Sequence, residues 1–202
     1  MSTLDFISSP AGELSSEHRS LAQEILKERF DKVKGDHNRK IIAAILGLVQ
    51  RPSLHCHRAN CELNSKELAK FHCALGMVGG RCVAAACFRH VPPTSRREGW
   101  SELLLLAVRE EAERRGHGTA MVGHVKRQSK VQGSAVLLTL ASTGAALAFW
   151  SRPTLGFAAL SAAEEGRFAY FKPWSHGIKI FGWWPQDEAL PLDHLRASSR
   201  LG

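Results

Sequence analysis

One stretch constrains this chain more than any other: Leu103-Leu104-Leu105-Leu106-Ala107-Val108, followed by a charged connector and the turn Gly116-His117-Gly118. A short run that is apolar at every position, not at every second one, predicts a strand buried on both faces at the centre of a sheet, here Trp100–Val108. Helical texture follows from about Thr119 to Val131, so the unit reads strand, turn, helix. Ser134–Ala141 predicts a second buried strand, after which Ser142 and Thr143 can cap a helix running to Trp150. Upstream, the apolar runs Ala74–Val78 and Arg81–His90 flank Gly79-Gly80, a two-residue hairpin turn. Leu155–Leu160, Phe168–Phe171 and Ile178–Trp184 read as further strands.

Before the hairpin the texture is helical. Ser16 reads as an N-cap, with Leu21, Ile25, Leu26 and Phe30 at helical spacing. Gly35 predicts a break, and Ile41, Ile42, Ile45, Leu46 and Val49 a second helix ending before Pro52. Residues 1–15, rich in Ser, Gly and Pro, are expected to be a flexible tail. No linker divides the remainder, so residues 16–202 are expected to form one α+β domain, a mixed sheet with helices on its faces. No apolar run approaches the roughly 18 residues of a membrane span. Met1–Ser9 lacks the basic-then-apolar pattern of a signal peptide. Five cysteines without a disulfide spacing point to a reduced, intracellular compartment.

Charge narrows the function. Lys and Arg number 27 against 19 Asp and Glu, a net +8 that favours an anionic partner. From Arg114 to Ala163 there is no acid at all, while Arg114, Arg115, Lys126, Arg127, Lys130 and Arg152 fall inside that span. It surrounds the Gly116-His117-Gly118 turn. Glycines between a buried strand and a helix let the main chain approach a ligand, and the helix N-terminus adds partial positive charge, which suits a pyrophosphate. A Rossmann loop is excluded because Met121 stands where a third glycine belongs, and a Walker A loop because no Gly-Lys-Ser/Thr follows.

Glu102-Leu-Leu-Leu-Leu-Ala-Val108, then Arg114-Arg115-Gly116-His117-Gly118-Thr119, resembles motif A of the GNAT superfamily of acyltransferases. Met121-Val-Gly-His124-Val-Lys126, Leu138-Thr139-Leu-Ala141, Phe149, Leu155-Gly156-Phe157 and the upstream Gly80–Val83 and Cys87-Phe88-Arg89 extend the likeness over about residues 76–157. Within the superfamily these residues are most similar to the founding histone lysine acetyltransferase branch. The resemblance implies the GNAT fold, a mixed, mostly antiparallel central sheet flanked by helices, and acetyl-CoA as co-substrate. It implies that the backbone of Leu106, Ala107 and Val108 splays from the neighbouring strand to meet the pantetheine and thioester carbonyl. It also implies that Glu113, Arg114, Arg115, Gly116, His117, Gly118 and Thr119 wrap the pyrophosphate, with Gly144, Ala145, Ala146 and Leu147 on the cofactor's other side.

Glu102 matches the family's general base. An amine arrives protonated near neutral pH, since a lysine's ordinary pKa is about 10.4, and must lose that proton before attack. Among Trp100, Leu103 and Leu105 the carboxylate is expected to be partly desolvated, which would raise its pKa. Direct attack in a ternary complex follows, with the Val108 or Ala107 amide stabilising the oxyanion. The chain departs from the family at Glu113, where relatives carry Gln or Arg, and at Ala148, where this branch has a tyrosine. Ser142-Thr143 replaces an Asp-Asn pair, and Pro153-Thr154 resembles an insertion.

Other features carry less. His55-Cys56-His57, Cys61 and His72-Cys73 are zinc-capable but fit no common ribbon or finger, so no metal is expected. Cys82 and Cys87 lie in an apolar strand and read as small core residues before nucleophiles. Tyr170, Trp174, Trp183 and Trp184 read as packing or one wall of an acceptor groove, and Arg96-Arg97 as a solvated loop. The reading that results is a lysine acetyltransferase acting on a histone or similar basic protein, intracellular and nuclear before cytoplasmic, with a chromatin complex as a larger setting. Neither membrane nor direct nucleic-acid binding is expected. Rival readings are acetylation of a small amine or protein N-terminus, and a silent module that binds CoA or a partner. A basic tail would require acids such as Glu98, Glu164 and Glu165 to line the groove.

Overall fold

The structure is a computed structural model and describes residues 4–48, 54–55, 62–63, 70–95, 97–141, 143–167 and 179–185. Its centre is a seven-stranded sheet. The strands are β1 (Asp5–Pro10), β4 (Phe71–Val78), β5 (Arg81–Val91), β6 (Trp100–Val108), β7 (Val136–Ala141), β8 (Ala158–Ala159) and β9 (Lys179–Trp183), in spatial order β1-β4-β5-β6-β7-β9-β8. Only the β6–β7 pair is parallel. Two short strands, β2 (Leu54–His55) and β3 (Glu62–Leu63), pair with each other. The helices are α1 (Ser16–Ile45), α2 (His117–Val131), α3 (Gly144–Trp150) and α4 (Ala162–Arg167).

The period-2 alternation of the strands sorts the core onto two faces. On β4, Phe71, Cys73 and Leu75 join Ile25, Leu26, Ile42 and Ile45 of α1. Ala74, between them, joins Met121, Val122 and Val125 of α2 on the opposite face, together with Leu137, Trp150, Phe157 and Trp183. A smaller cluster of Trp100, Val136, Leu138 and Leu160 continues the α1 face beyond β6. Among the described residues no helix is long and apolar enough to cross a membrane.

The central strand and the glycine hairpin form as the sequence predicts. Gly79 and Gly80 both have positive φ, +55° and +79°, as a type I′ turn requires at its two central positions. Four expectations are corrected. Residues 5–10, assigned to a flexible tail, form β1, whose pairing from Asp5↔Met77 to Pro10↔His72 covers what would otherwise be the open edge of β4. Pro10 is tolerated because it closes an edge strand. Gly35 does not interrupt α1: burial on both sides of it outweighs the roughly 1 kcal/mol that a glycine costs a helix. The cap is also one residue earlier than read, Ser15, whose Oγ accepts the His18 N–H at 3.1 Å. Finally, Leu155–Leu160 is not one strand. Pro153 opens a 3-10 turn that Gly156 ends at φ +62°, leaving only Ala158–Ala159 to pair with β9. The segment 168–171 lies outside the described residues.

Candidate active site

The sheet opens at its centre. Parallel pairing of β6 with β7 runs from Trp100↔Val136 to Leu103↔Thr139 and stops there. Meanwhile β6 stays on β5 as far as Ala84↔Val108. At the fork, Thr139 Oγ1 donates to the Leu103 carbonyl at 3.0 Å. The β5–β6 register shifts between Cys87 and Phe88, placing Leu104 in a bulge. This extra residue resets which groups face the opening. The Arg109 N–H donates to Val83 O at 2.9 Å, so ladder alternation turns the peptide groups of Leu106 and Val108 away from β5 and into the gap.

The backbone of Ala107 instead faces Ala85 of β5. Of the two amides expected to serve the oxyanion, Val108 is therefore the one the geometry presents. Leu106, Val108, Ala146, Leu147 and Phe149 are half-buried and pack against the core cluster on the α2 face beside the opening. Gly144 and Ala145 are exposed at the start of α3, whose cap is Thr143, with Oγ1 accepting the Ala146 N–H at 3.1 Å.

After β6 the connector makes a 3-10 turn over Glu110–Ala112, then turns through Arg114 at φ +58° and Gly116 at φ +84°. A left-handed residue that is not glycine costs on the order of 1 kcal/mol or more and marks a segment held by its surroundings. Gly116 launches α2 two residues earlier than the sequence suggests, and among the described residues no side chain caps this helix. Helix geometry leaves the first N–H groups, at His117, Gly118 and Thr119, without intrahelical partners, and they carry the helix's positive end. A Cβ on Gly118 would lie 3.4 Å from Phe149 Cε2 and 3.5 Å from Val108 Cγ2, so anything larger than a methyl there would push on the wall of the gap. These features fit an extended thiol cofactor with a pyrophosphate at one end. Glu113, the departure from the family, is neutralised locally by an ion pair with Arg29 of α1.

Glu102 sits one residue before the fork and is 1% exposed. It is not the lone carboxylate among apolar groups that the sequence suggests. Its Oε2 accepts from Arg89 Nε at 2.7 Å, and the two residues are direct cross-strand partners. The guanidinium lies 5.2 Å from the Phe71 ring centroid and 5.5 Å from that of Trp100. The charge is thus buried with its counter-ion and framed by two aromatic faces. Arg89 was readable as an arginine directly after the apolar run Cys82–Phe88, a residue that must find a partner.

Elsewhere the side chains serve packing. Burial pushes the Cys82 thiol up to about 11, which leaves almost no thiolate near neutral pH and supports its reading as a core residue. A hydrogen bond with Cys73 and complete burial push Cys87 upward as well. Trp183 is buried with Lys126 Nζ 4.4 Å from its ring centre, and Trp184 lies over Gly182. Glu98 pairs with Arg167, and Glu165 with Lys179 at 3.2 Å. Glu164 and Ser161 form a capping box at α4, a pattern readable as Ser-x-x-Glu. Tyr170, Trp174 and most of the His55–Cys61 cluster lie outside the described residues. Among the described residues no three His, Cys, Asp or Glu side chains converge on a metal position.

A forked sheet with an uncapped helix beyond it is the architecture of an acyltransferase that uses acetyl-CoA. The profile of the Acetyltransferase (GNAT) family matches residues 50–157, over half of the sequence, and the chain belongs to that family. It is an acetyl-CoA-dependent acetyltransferase. No curated protein matches the sequence. Among solved structures, it is similar to the catalytic domain of Tetrahymena GCN5 histone acetyltransferase in complex with coenzyme A (17% identity, TM-score 0.58, covering 92% of this chain and 95% of that one). It is equally similar to a putative GNAT acetyltransferase from Desulfovibrio desulfuricans (16%, 0.58, 91% and 99%). A Bacillus subtilis acetyltransferase in complex with CoA is also similar (13%, 0.52, 90% and 99%). At these identities the likeness shows the fold.

Proposed function

We propose that this chain transfers an acetyl group to a lysine side chain of a protein substrate, a histone or similar basic protein, with Glu102 as the general base. The observation that carries the proposal is the position of Glu102, buried on β6 beside the point where the sheet opens, on the same strand as the Leu106 and Val108 peptide groups. Bound in the fork, acetyl-CoA supplies an activated acetyl thioester. The Val108 N–H, which faces away from β5, would donate to the thioester oxygen, and the apolar side chains from Leu106 to Phe149 would keep that position dry. Glu102 takes the ammonium proton so that a neutral nitrogen attacks the thioester carbon, the C–S bond breaks and CoA leaves as its thiol with the nitrogen's second proton, while Arg89 compensates the buried carboxylate. The Arg114–Thr119 turn holds the pyrophosphate, with main-chain N–H groups of His117, Gly118 and Thr119 as donors. A histone substrate would place the protein in the nucleus, within a chromatin complex.

A specific observation favours a second reading, acetylation of a small amine or a protein N-terminus. Glu98, Glu164 and Glu165, the acids that a basic tail would seek, are already engaged with Arg167, Ser161 and Lys179. Histone peptides, a free α-amino peptide and a polyamine, assayed side by side with acetyl-CoA, separate the two. Glu102→Gln should lower kcat by about two to four orders of magnitude at neutral pH while CoA still binds. Full turnover in that variant would remove Glu102 from the mechanism. Absence of turnover on every acceptor, with CoA bound, would favour the silent module.

A further inference from the structure

Helix α1 and the connector between β6 and the turn are joined by charge. Glu24 and Glu28 approach Arg109 Nη1 at 2.8 and 3.6 Å, and Glu28 Oε1 accepts the Glu110 N–H at 3.4 Å. Arg109 Nε also donates to the Cys82 carbonyl at 2.9 Å. The Glu24 hydrogen bond raises the already high pKa of Arg109, and the same contact lowers that of Glu24. One residue after Glu28, Arg29 pairs with Glu113 at the connector's far end. The span 109–113 is therefore gripped at both ends by consecutive turns of one helix, and the next residue is the left-handed Arg114.

Glu113 is the last acid before the acid-free span and stands immediately before the turn assigned to the pyrophosphate. An uncompensated carboxylate there would repel the phosphates. Both partners are about one-third exposed, 33% for Arg29 and 39% for Glu113, so solvent weakens the field without abolishing it. We propose that Arg29 is a positioning residue for the cofactor: by neutralising Glu113 it keeps the turn receptive to a pyrophosphate. This role rests on the assignment of Arg114–Thr119 to that group.

Calorimetric titration of the full chain with CoA tests it. At about 50 mM salt Arg29→Ala should raise Kd roughly three- to tenfold, and less at about 300 mM, where screening is stronger. Arg29→Lys should retain the affinity. The double variant Arg29→Ala, Glu113→Gln should return to within about twofold of the wild type, because the repelling charge has gone with its partner. A merely structural pair behaves differently, since the double variant also lacks the pair and would stay as weak as the single one. Unchanged Kd in Arg29→Ala, or no recovery in the double variant, overturns the proposal. Gly118→Val, whose branches would abut Phe149 and Val108, tests the turn separately. Normal CoA affinity there removes the pyrophosphate assignment, whereas weakened affinity there with Arg29→Ala at wild-type affinity removes only the role of Arg29.

Discussion

Replacing Arg89 with methionine should be among the most damaging single changes in this chain. Arg89 is 12% exposed and its partner Glu102 1%, so truncation takes the arginine counter-ion from a buried carboxylate. Breaking a buried pair by removing one partner costs about 3–5 kcal/mol. The two ring contacts, to Phe71 and Trp100, add about 0.5–1 kcal/mol. In a domain of this length each kcal/mol moves Tm by about 2–4 °C, giving a fall of about 7–24 °C. Urea unfolding followed by tryptophan fluorescence should show the midpoint falling with an unchanged slope. Arg89→Met combined with Glu102→Leu should recover most of the loss, since an apolar pair of similar volume replaces a buried ionic one without penalty. The reasoning is refuted if the single variant lies within about 1 kcal/mol of wild type, the behaviour of a surface pair, or if the double variant is no more stable than the single.

Two further outcomes follow from packing. His124 stacks on Phe6 of β1 with ring centroids 4.5 Å apart, its buried Nε2 has no hydrogen-bond partner among the described residues, and burial, with Arg127 second, lowers its pKa. The folded chain binds that proton less well than the unfolded one, so the stability is complete above the ordinary value of about 6.5 and is lost as pH falls below it. Burial lowers His72 and His90 in the same direction; His124→Phe should remove one share of the acid-side loss, seen as a shallower fall in unfolding free energy between about pH 7.5 and 5.5. Gly182→Ala would set a Cβ 2.7 Å from Trp184 Cη2 and 3.0 Å from Leu160 Cδ2. It should destabilise by about 1–3 kcal/mol and shift the tryptophan emission, and an unperturbed spectrum would show that Trp184 does not cover that strand.

What could be read from the sequence was local. Leu103–Val108 is apolar throughout because both of its faces are covered, and Gly79-Gly80 demands a turn whatever lies around it. Glu102 and the turn around Gly116 and Gly118 stand at fixed spacing on one continuous unit, so their placement needed no knowledge of distant chain. The misses are long-range. Nothing within Asp5–Pro10 announces a strand, because its pairing depends on the open edge of β4 about 65 residues later. Gly35 signals a break that burial at both ends of α1 overrides. The partners of Glu102 and Glu113 lie 13 and 84 positions away, and only the sheet register and the docking of α1 bring them together. The bulge at Leu104, which decides between Ala107 and its neighbours, leaves no mark in a run of four leucines.

That bulge also bears on how an enzyme of this design changes its substrate. Glu102, the proposed proton acceptor, and the peptide groups facing the opening are parts of one strand, clamped on one side by β5 and released on the other after Leu103. Deleting Leu104 would close the bulge and leave every pair with β5 intact, so the Leu106 and Val108 peptide groups would still face the opening but stand one residue nearer to Glu102. The spacing along β6 between Glu102 and the peptide groups at the opening is thus a discrete quantity, set by register and unable to drift gradually. New acceptors must bring their nitrogen to the same point, and selection among them falls to the loops that frame the opening from outside the sheet.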